Sequence, residues 1–318
     1  MDKRIMGNVK KVLVCCLAWM FCGIGMVFAS ETKMEGDPAF LDYDGDFHKD
    51  VIAPQVRAWK QVAKVSFPKV CDDTENEWAC WKVDSIADMI LANPGMPKGE
   101  QLASLYEMEN YAAYGMTYLV AIFGYHITPE ATQDALAIIP QTEDVLHAMR
   151  ENNFRNVQQF IDLEKTVYMN YCIFMFLNSQ LVEGTTEIVD DMISTNLYNE
   201  KVLEALMDVF KNDTQLYRYS QYVFSNSFYL TFCPLAFWLG GPEFSNSNME
   251  EYMEIGGWID SCEVPIVKAL GEGKKLPSIS LEDYSAFLKQ VSYYRARLIE
   301  LLAKAIESMP LPEQDDEE

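Results

Sequence analysis

The chain has 318 residues and carries 25 Lys and Arg against 48 Asp and Glu, which gives a formal net charge of −23 at pH 7. A field of this sign repels phosphate backbones and anionic headgroups, so the composition argues against binding to nucleic acid or to an anionic lipid surface. It favours a basic protein partner or divalent cations, and simple solubility is the alternative explanation for the acidity.

The first predicted element is an export signal at residues 1–29. Basic residues between positions 3 and 11 precede an uncharged apolar run at 12–28, and Val27 and Ala29 supply the small side chains that signal peptidase requires. Cleavage after Ala29 would deliver the mature chain to the periplasm or the medium. The alternative is an uncleaved membrane anchor, because the apolar run is longer than that of a usual signal peptide.

The next predicted unit, residues 30–82, is an acidic lead-in with a first helix at about 50–66 and a disulfide loop. Its stretch DYDGDFHKD alternates acidic residues, and carboxylates at such spacing are typical of calcium loops. Phe47, however, occupies the position at which a calcium loop needs glycine. The alternative is an acidic approach to the helix that starts near Lys49. The candidate calcium ligands are Asp42, Asp44, Asp46 and Asp50.

The cysteine spacing predicts one short disulfide. In an oxidising compartment, Cys71 and Cys80 can close the polar loop CDDTENEWAC. Such a bond would restrict a connector that has no core of its own. The pairing of Cys172, Cys233 and Cys262 stays open, and the absence of a CxxC motif argues against disulfide-exchange chemistry.

Residues 83–309 are predicted to form an all-α domain, built as an antiparallel helical bundle or a short stack of helical hairpins. Apolar residues recur at spacings of three and four, and Gly and Pro fall mostly between the segments. The last helix is the clearest, with Ser280 and Asp283 placed as a capping box and Arg295 placed off the apolar face. An acidic, disordered tail is predicted at 310–318. The predicted helices span about 84–92, 99–125, 129–151, 154–182, 185–195, 199–211, 214–239, 248–262 and 281–309.

Three of these helices contain long uncharged runs, at residues 110–129, 166–182 and 219–242. Each run is nearly long enough to span a bilayer, and a membrane-associated protein is therefore one interpretation. Asn and Gln side chains within the runs lower their hydropathy below that of a typical spanning helix. We therefore predict buried helices of a soluble bundle, without integral membrane insertion once the leader is removed.

Polar side chains in and beside these runs form the candidate ligand pocket. An interhelical pocket lined by phenol, amide and imidazole groups would take a small amphiphilic ligand. In the alternative, the tyrosine rings are buried and their hydroxyls bond at the edge of the bundle or to one another. The candidate pocket residues are Tyr114, Tyr118, His126, Tyr168, Asn170, Tyr171, Tyr219, Tyr222 and Asn226.

The sequence contains no recognisable catalytic constellation. No P-loop, dinucleotide or nucleophile-elbow motif occurs. Asp144 with His147 is only a half-match to the two Glu-x-x-His-type elements that a di-iron bundle needs. We predict no catalytic residue and no cofactor beyond the calcium of the acidic loop. The predicted function is an exported, acidic, helical binding module for a basic protein. The alternative is a small-ligand carrier or enzyme that uses the Tyr/Asn-lined pocket, with or without a carboxylate-bound metal.

Overall fold

The structure is a computed structural model that describes residues 37–70, 74–121, 138–179 and 186–309. Every regular element in these residues is helical, which confirms the predicted all-α class. The predicted leader and the predicted acidic tail lie outside the described residues.

The described residues contain eight α-helices, preceded by two short helical turns. The first turn, Ala39–Leu41, is a 3-10 helix, and the second, His48–Ile52, has π-helical hydrogen bonding. The α-helices are α1 (Ala53–Val70), α2 (Thr74–Ala92), α3 (Lys98–Ala121), α4 (Ile138–Glu151), α5 (Val157–Ser179), α6 (Thr186–Val209), α7 (Asp213–Gly271) and α8 (Leu281–Ser308).

The last two helices begin at side-chain caps that the sequence supplies locally. The Asn212 side chain accepts a hydrogen bond from the Thr214 amide at 2.8 Å, at the start of α7. At the start of α8, the Ser280 hydroxyl accepts from the Asp283 amide at 3.0 Å and donates to the Asp283 carboxylate at 2.6 Å. Each cap satisfies an amide that the first helical turn leaves unpaired.

Helix α7 doubles back on itself at Gly241. This residue has φ 73° and ψ −177°, a conformation that glycine adopts without steric penalty. Phe237 and Tyr252 place their ring centroids 4.2 Å apart, whereas 15 residues of straight helix would span about 22 Å. We call residues 213–240 the first arm of α7 and residues 242–271 the second arm.

Two of the predicted helix pairs are single elements in the structure. The predicted helices at 185–195 and 199–211 form the continuous α6, and the predicted connector between 239 and 248 is helical except at Gly241. Local polar stretches in these places do not interrupt the backbone hydrogen bonds, because neighbouring helices cover one side of them.

The helices pack around one hydrophobic core in an arrangement consistent with a helical bundle. Helix α8 contacts α1 and α7, α2 contacts α1 and α3, and α5 contacts α3, α6 and α7. At the centre, the Phe232 ring lies 5.5 Å from Trp59, 4.6 Å from Tyr171 and 4.2 Å from Phe228, measured between centroids. Burial of such large rings is a main source of stability in a bundle of this size.

The connector between α1 and α2 differs from the predicted disulfide loop. Helix α2 begins at Thr74, so most of CDDTENEWAC is helical, and Cys71 lies outside the described residues. Cys80 is a buried free thiol, and its sulfur faces Gly115 of α3. Burial raises the pKa of the Cys80 thiol to about 12, so it stays protonated. The predicted Cys71–Cys80 disulfide is therefore not present in this structure.

The described parts of the three uncharged runs lie inside the protein. Tyr111, Tyr168 and Phe228, one from each run, are all almost fully buried. Across the four described ranges, no helix combines the length and apolar character that crossing a membrane requires.

Candidate functional site

The core contains a carboxylate that protein atoms surround completely. Glu164 of α5 is fully buried, and its two oxygens accept three hydrogen bonds. Arg295 of α8 donates to Oε1 at 3.0 Å, and Tyr168, one turn further along α5, donates to the same oxygen at 3.2 Å. Gln221 of α7 donates to Oε2 at 3.1 Å. These three hydrogen bonds compensate for the hydration that the carboxylate loses on burial.

A second buried carboxyl group lies beside the first. Glu109 of α3 accepts a hydrogen bond from the indole nitrogen of Trp59 at 3.2 Å. Burial raises the pKa of Glu109 to about 7, and the nearby charge of Glu164 adds to the rise, while Arg295 and the indole hydrogen bond oppose it. The positive charge of Arg295 therefore acts on both carboxyl groups, and Glu109 is partly protonated at neutral pH. We call Trp59, Glu109, Glu164, Gln221 and Arg295 the buried charge cluster.

Arg295 is the cation of this cluster. Its guanidinium carbon lies 5.2 Å from the centroid of the Phe228 ring, within the range of a cation–π contact. Burial alone would lower the pKa of Arg295, but Tyr168 and Glu164 raise it above its usual value, so the side chain stays charged. The predicted position of Arg295 off the apolar face of α8 is wrong, because its carboxylate partners lie in the core.

The carboxyl groups of the cluster, Glu109 and Glu164, were not predicted from the sequence. Glu164 lies four residues after Phe160 and four before Tyr168, so it occupies a core-facing position of α5. Glu109 lies four residues after the buried Leu105, so it also occupies a core-facing position, in α3. The signal that could have found them is a charged residue in phase with the buried residues of its helix.

The structure separates the predicted pocket residues into two groups. Tyr168 and Tyr171 adjoin the buried charge cluster, where the Tyr171 hydroxyl donates to the backbone carbonyl of Glu109 at 3.0 Å. Tyr219 and Tyr222 lie where α7 meets the segment before α8 and the start of α8. Of the remaining predicted residues, Tyr114 and Asn226 are buried. The side chains of Tyr118, His126 and Asn170 lie outside the described part.

The second group is engaged with the segment before α8 and with α8 itself. The Tyr219 hydroxyl donates to the Pro277 carbonyl at 2.5 Å, and the Tyr222 ring stacks on Phe287 with centroids 3.7 Å apart. These contacts fit the alternative interpretation of the tyrosines, in which rings pack and hydroxyls bond to neighbouring groups.

A small cavity lies at the edge of the buried charge cluster. Its volume is about 10 Å³, and its lining includes Gln55, Tyr106, Tyr284, Ser292 and Arg295. A cavity needs roughly 10–15 Å³ to hold one water molecule, so this space has no room for an amphiphilic ligand. The core is filled at this point, and its charged groups contact one another.

The four aspartates of the predicted calcium loop make separate contacts. Asp46 accepts from the Lys49 amide at 3.0 Å, and Asp50 accepts from the Tyr43 hydroxyl at 3.2 Å and pairs with Lys289 at 3.2 Å. Asp42 and Asp44 are exposed. Within the described ranges, no group of three or more His, Cys, Asp or Glu side chains gathers where it could hold a metal ion. The geometry therefore gives the calcium hypothesis no support.

The outer side of the second arm of α7 combines exposed apolar and acidic side chains. Met249, Met253 and Val264 are 41%, 67% and 56% exposed, although most large apolar side chains in the described residues are buried or partly buried. At 3.6 residues per turn, these side chains and the neighbouring exposed carboxylates share one side of the helix. We call Met249, Glu250, Met253, Glu254, Asp260 and Val264 the acidic methionine face.

No known protein family, curated protein or solved structure matches this chain.

Proposed function

We propose that the chain acts, after export, as a binding module that docks a basic protein segment on the acidic methionine face. The observation that supports this proposal is the exposure of Met249, Met253 and Val264 beside carboxylates that have no salt-bridge partner among the described residues. Exposed apolar side chains in such a group mark interaction surfaces more often than isolated ones do.

An amphipathic helix with lysine or arginine along its border fits this surface chemically. Its apolar side would cover the two methionines and the valine, removing apolar area from water. Its cations would meet Glu250, Glu254 and Asp260, which adds specificity and speeds association. Methionine side chains adapt to irregular partners because they are unbranched and polarisable. The acidic excess, which is −23 for the full sequence, would attract a basic partner from a distance.

The filled core supports surface binding over an interior carrier function. The cavity beside the buried charge cluster measures about 10 Å³, and both carboxyl groups of the cluster accept hydrogen bonds from protein donors. Ligand pockets are much larger, of the order of hundreds of Å³.

Fluorescence anisotropy with a labelled amphipathic helix of lysine and leucine tests the docking proposal. In the face variant, Glu250→Gln, Glu254→Gln and Asp260→Asn are combined, and we expect its affinity to fall about tenfold at low salt, because each lost charge pair contributes roughly 0.5 kcal/mol. The wild-type affinity should also fall when NaCl is raised, because salt screens exposed charges.

The matched control removes the same charge elsewhere. Glu187→Gln, Asp190→Asn and Asp191→Asn neutralise three exposed carboxylates of α6. We expect this control to keep its affinity within about twofold, because the three changes leave the acidic methionine face intact and alter only the long-range attraction. Equal weakening of both variants would show that the peptide responds to overall charge, and the docking face would then be wrong.

The export part of the proposal has its own test. Intact-mass measurement of the protein from an exporting host should give a chain that begins at Ser30, because Val27 and Ala29 satisfy signal peptidase. Retention of residues 1–29 in a membrane fraction would instead support the uncleaved anchor.

A further inference from the structure

The ammonium group of Lys82 lies among three aromatic rings. Its Nζ atom is 5.7 Å from the centroid of Trp78, 5.9 Å from Trp81 and 5.6 Å from Tyr111. Each distance lies within the roughly 6 Å range of a cation–π contact. Trp78, Trp81 and Lys82 belong to α2, and Tyr111 belongs to α3. We call Trp78, Trp81 and Tyr111 the aromatic cage.

The cage has one fixed wall and two walls that face water. Tyr111 is almost fully buried, and its hydroxyl donates to the Glu143 carboxylate of α4, which holds the ring in place. Trp78 meets the Tyr111 ring edge-to-face, with centroids 5.3 Å apart and an interplanar angle of 87°. Trp78 and Trp81 are 37% and 59% exposed, so the cage opens to solvent.

Packing alone does not explain two exposed tryptophans around one cation. An indole is mostly apolar, and leaving it in water forgoes the stabilisation that its burial would provide. Within the described ranges, no carboxylate forms a salt bridge with Lys82, so the rings are the contacts around its charge. Lys82 carries a flexible stem and a strongly hydrated head group, and it can leave the cage without disturbing the backbone.

We propose that Trp78, Trp81 and Tyr111 form a binding site for an alkylammonium group, and that Lys82 occupies this site until the ligand displaces it. A methylated ammonium is the preferred ligand class, because it loses less hydration than a lysine head group when aromatic faces surround it. The site shares no residue with the acidic methionine face, so this inference is independent of the proposed docking function.

Titration with tetramethylammonium chloride, followed by tryptophan fluorescence, tests the site, with NaCl at equal ionic strength as the reference. We expect a saturable change for the wild type. Trp81→Ala should weaken binding about two- to fivefold, the contribution of one exposed cation–π contact, and Trp78→Ala with Trp81→Ala should abolish it. Circular dichroism of these variants checks that the helices are retained.

A Lys82→Met variant gives the sharpest test, because it removes the competing charge without shortening the side chain much. Removal of the internal cation should strengthen tetramethylammonium binding about two- to fivefold, whereas Lys64→Met, at an exposed position of α1, should leave it unchanged. Weaker or unchanged binding by Lys82→Met would overturn the proposal, as would equal responses to tetramethylammonium and sodium.

The source of the ammonium group is resolved by comparing two ligands. Tighter binding of a trimethyllysine peptide than of choline would assign the site to a modified protein, and tighter binding of choline would assign it to a small molecule. Absence of saturable binding for both ligands, together with tetramethylammonium, would show that Lys82 only packs on its neighbours.

Discussion

Arg295 and Glu164 stabilise the core only as a pair, because both side chains are buried away from bulk water. Arg295→Met leaves the Glu164 carboxylate without its cation, and we expect the free energy of unfolding to fall by about 3–5 kcal/mol. Urea denaturation measures this loss. The matched control is Arg297→Met, which removes a partly exposed arginine paired with Glu251 and should cost about 1 kcal/mol or less.

A double-mutant cycle then separates the pair from its surroundings. The combination of Glu164→Gln with Arg295→Met should cost less than the sum of the two single changes, because it removes both buried charges together. Additive losses would show that the two side chains act independently, against the geometry of the buried charge cluster.

Glu109 links stability to pH. In the unfolded chain this carboxyl group has its ordinary pKa of 4.5, and burial raises the folded value to about 7. Between these values the folded chain holds a proton that the unfolded chain has lost, so stability falls as pH rises through this window and levels off above it. The difference corresponds to about 3 kcal/mol.

Glu109→Gln removes this titration while keeping an acceptor for the Trp59 indole. We expect the variant to show a smaller decrease in unfolding free energy between pH 5 and pH 8 in urea titrations. Part of the decrease should persist, because burial also raises the pKa of Glu263 to about 7. The exposed Glu187→Gln should keep the wild-type dependence, and an unchanged slope in Glu109→Gln would contradict the assignment.

At the scale of elements, two adjacent glycines test how the arms of α7 pack. A β-carbon at Gly256 would lie 2.5 Å from the Tyr229 hydroxyl oxygen, whereas one at Gly257 would meet nothing within 4 Å. Gly256→Ala must displace Tyr229 and break its hydrogen bond to the Tyr252 carbonyl, so we expect a loss of about 1–3 kcal/mol. Gly257→Ala should instead stabilise the helix by up to about 1 kcal/mol.

Thermal unfolding distinguishes these two glycine variants. We expect the midpoint of Gly256→Ala to fall and that of Gly257→Ala to rise or stay unchanged. The change in helix propensity from Gly to Ala is the same at both positions, so opposite shifts of the unfolding midpoint cannot come from propensity. If Gly256→Ala were as stable as Gly257→Ala, the close approach of the two arms would be wrong.

Sequence patterns predicted the elements whose signals are local. The Ser280 and Asp283 cap lies within four residues, and periodicity placed α8 correctly. The sharp reversal at Gly241 was missed because the polar residues after Pro242 resemble a loop, although they are helical in the structure. The Arg295–Glu164 pair joins residues 131 positions apart, and no spacing rule along one helix identifies such a partner.

The whole molecule carries far more negative than positive charge, and this excess opposes compaction. With a net charge of −23, salt that screens repulsion should favour the folded chain. We expect the midpoint of thermal unfolding at constant pH to rise between low and moderate NaCl concentration. A falling midpoint would indicate that favourable surface ion pairs, such as Arg150 with Glu100 and Glu107, outweigh the repulsion.

The buried charge cluster draws one residue from each of five helices, from Trp59 in α1 to Arg295 in α8. Arg295 is the last residue of the cluster to be synthesised. A growing chain on the ribosome therefore lacks the cation of the buried charge cluster until synthesis is nearly complete. Premature collapse would bury Glu164 beside apolar rings without its cation, and this penalty disfavours a closed core before α8 is made. Late formation of the core suits the proposed exported form, because a chain that crosses a membrane unfolded has to fold after it has crossed.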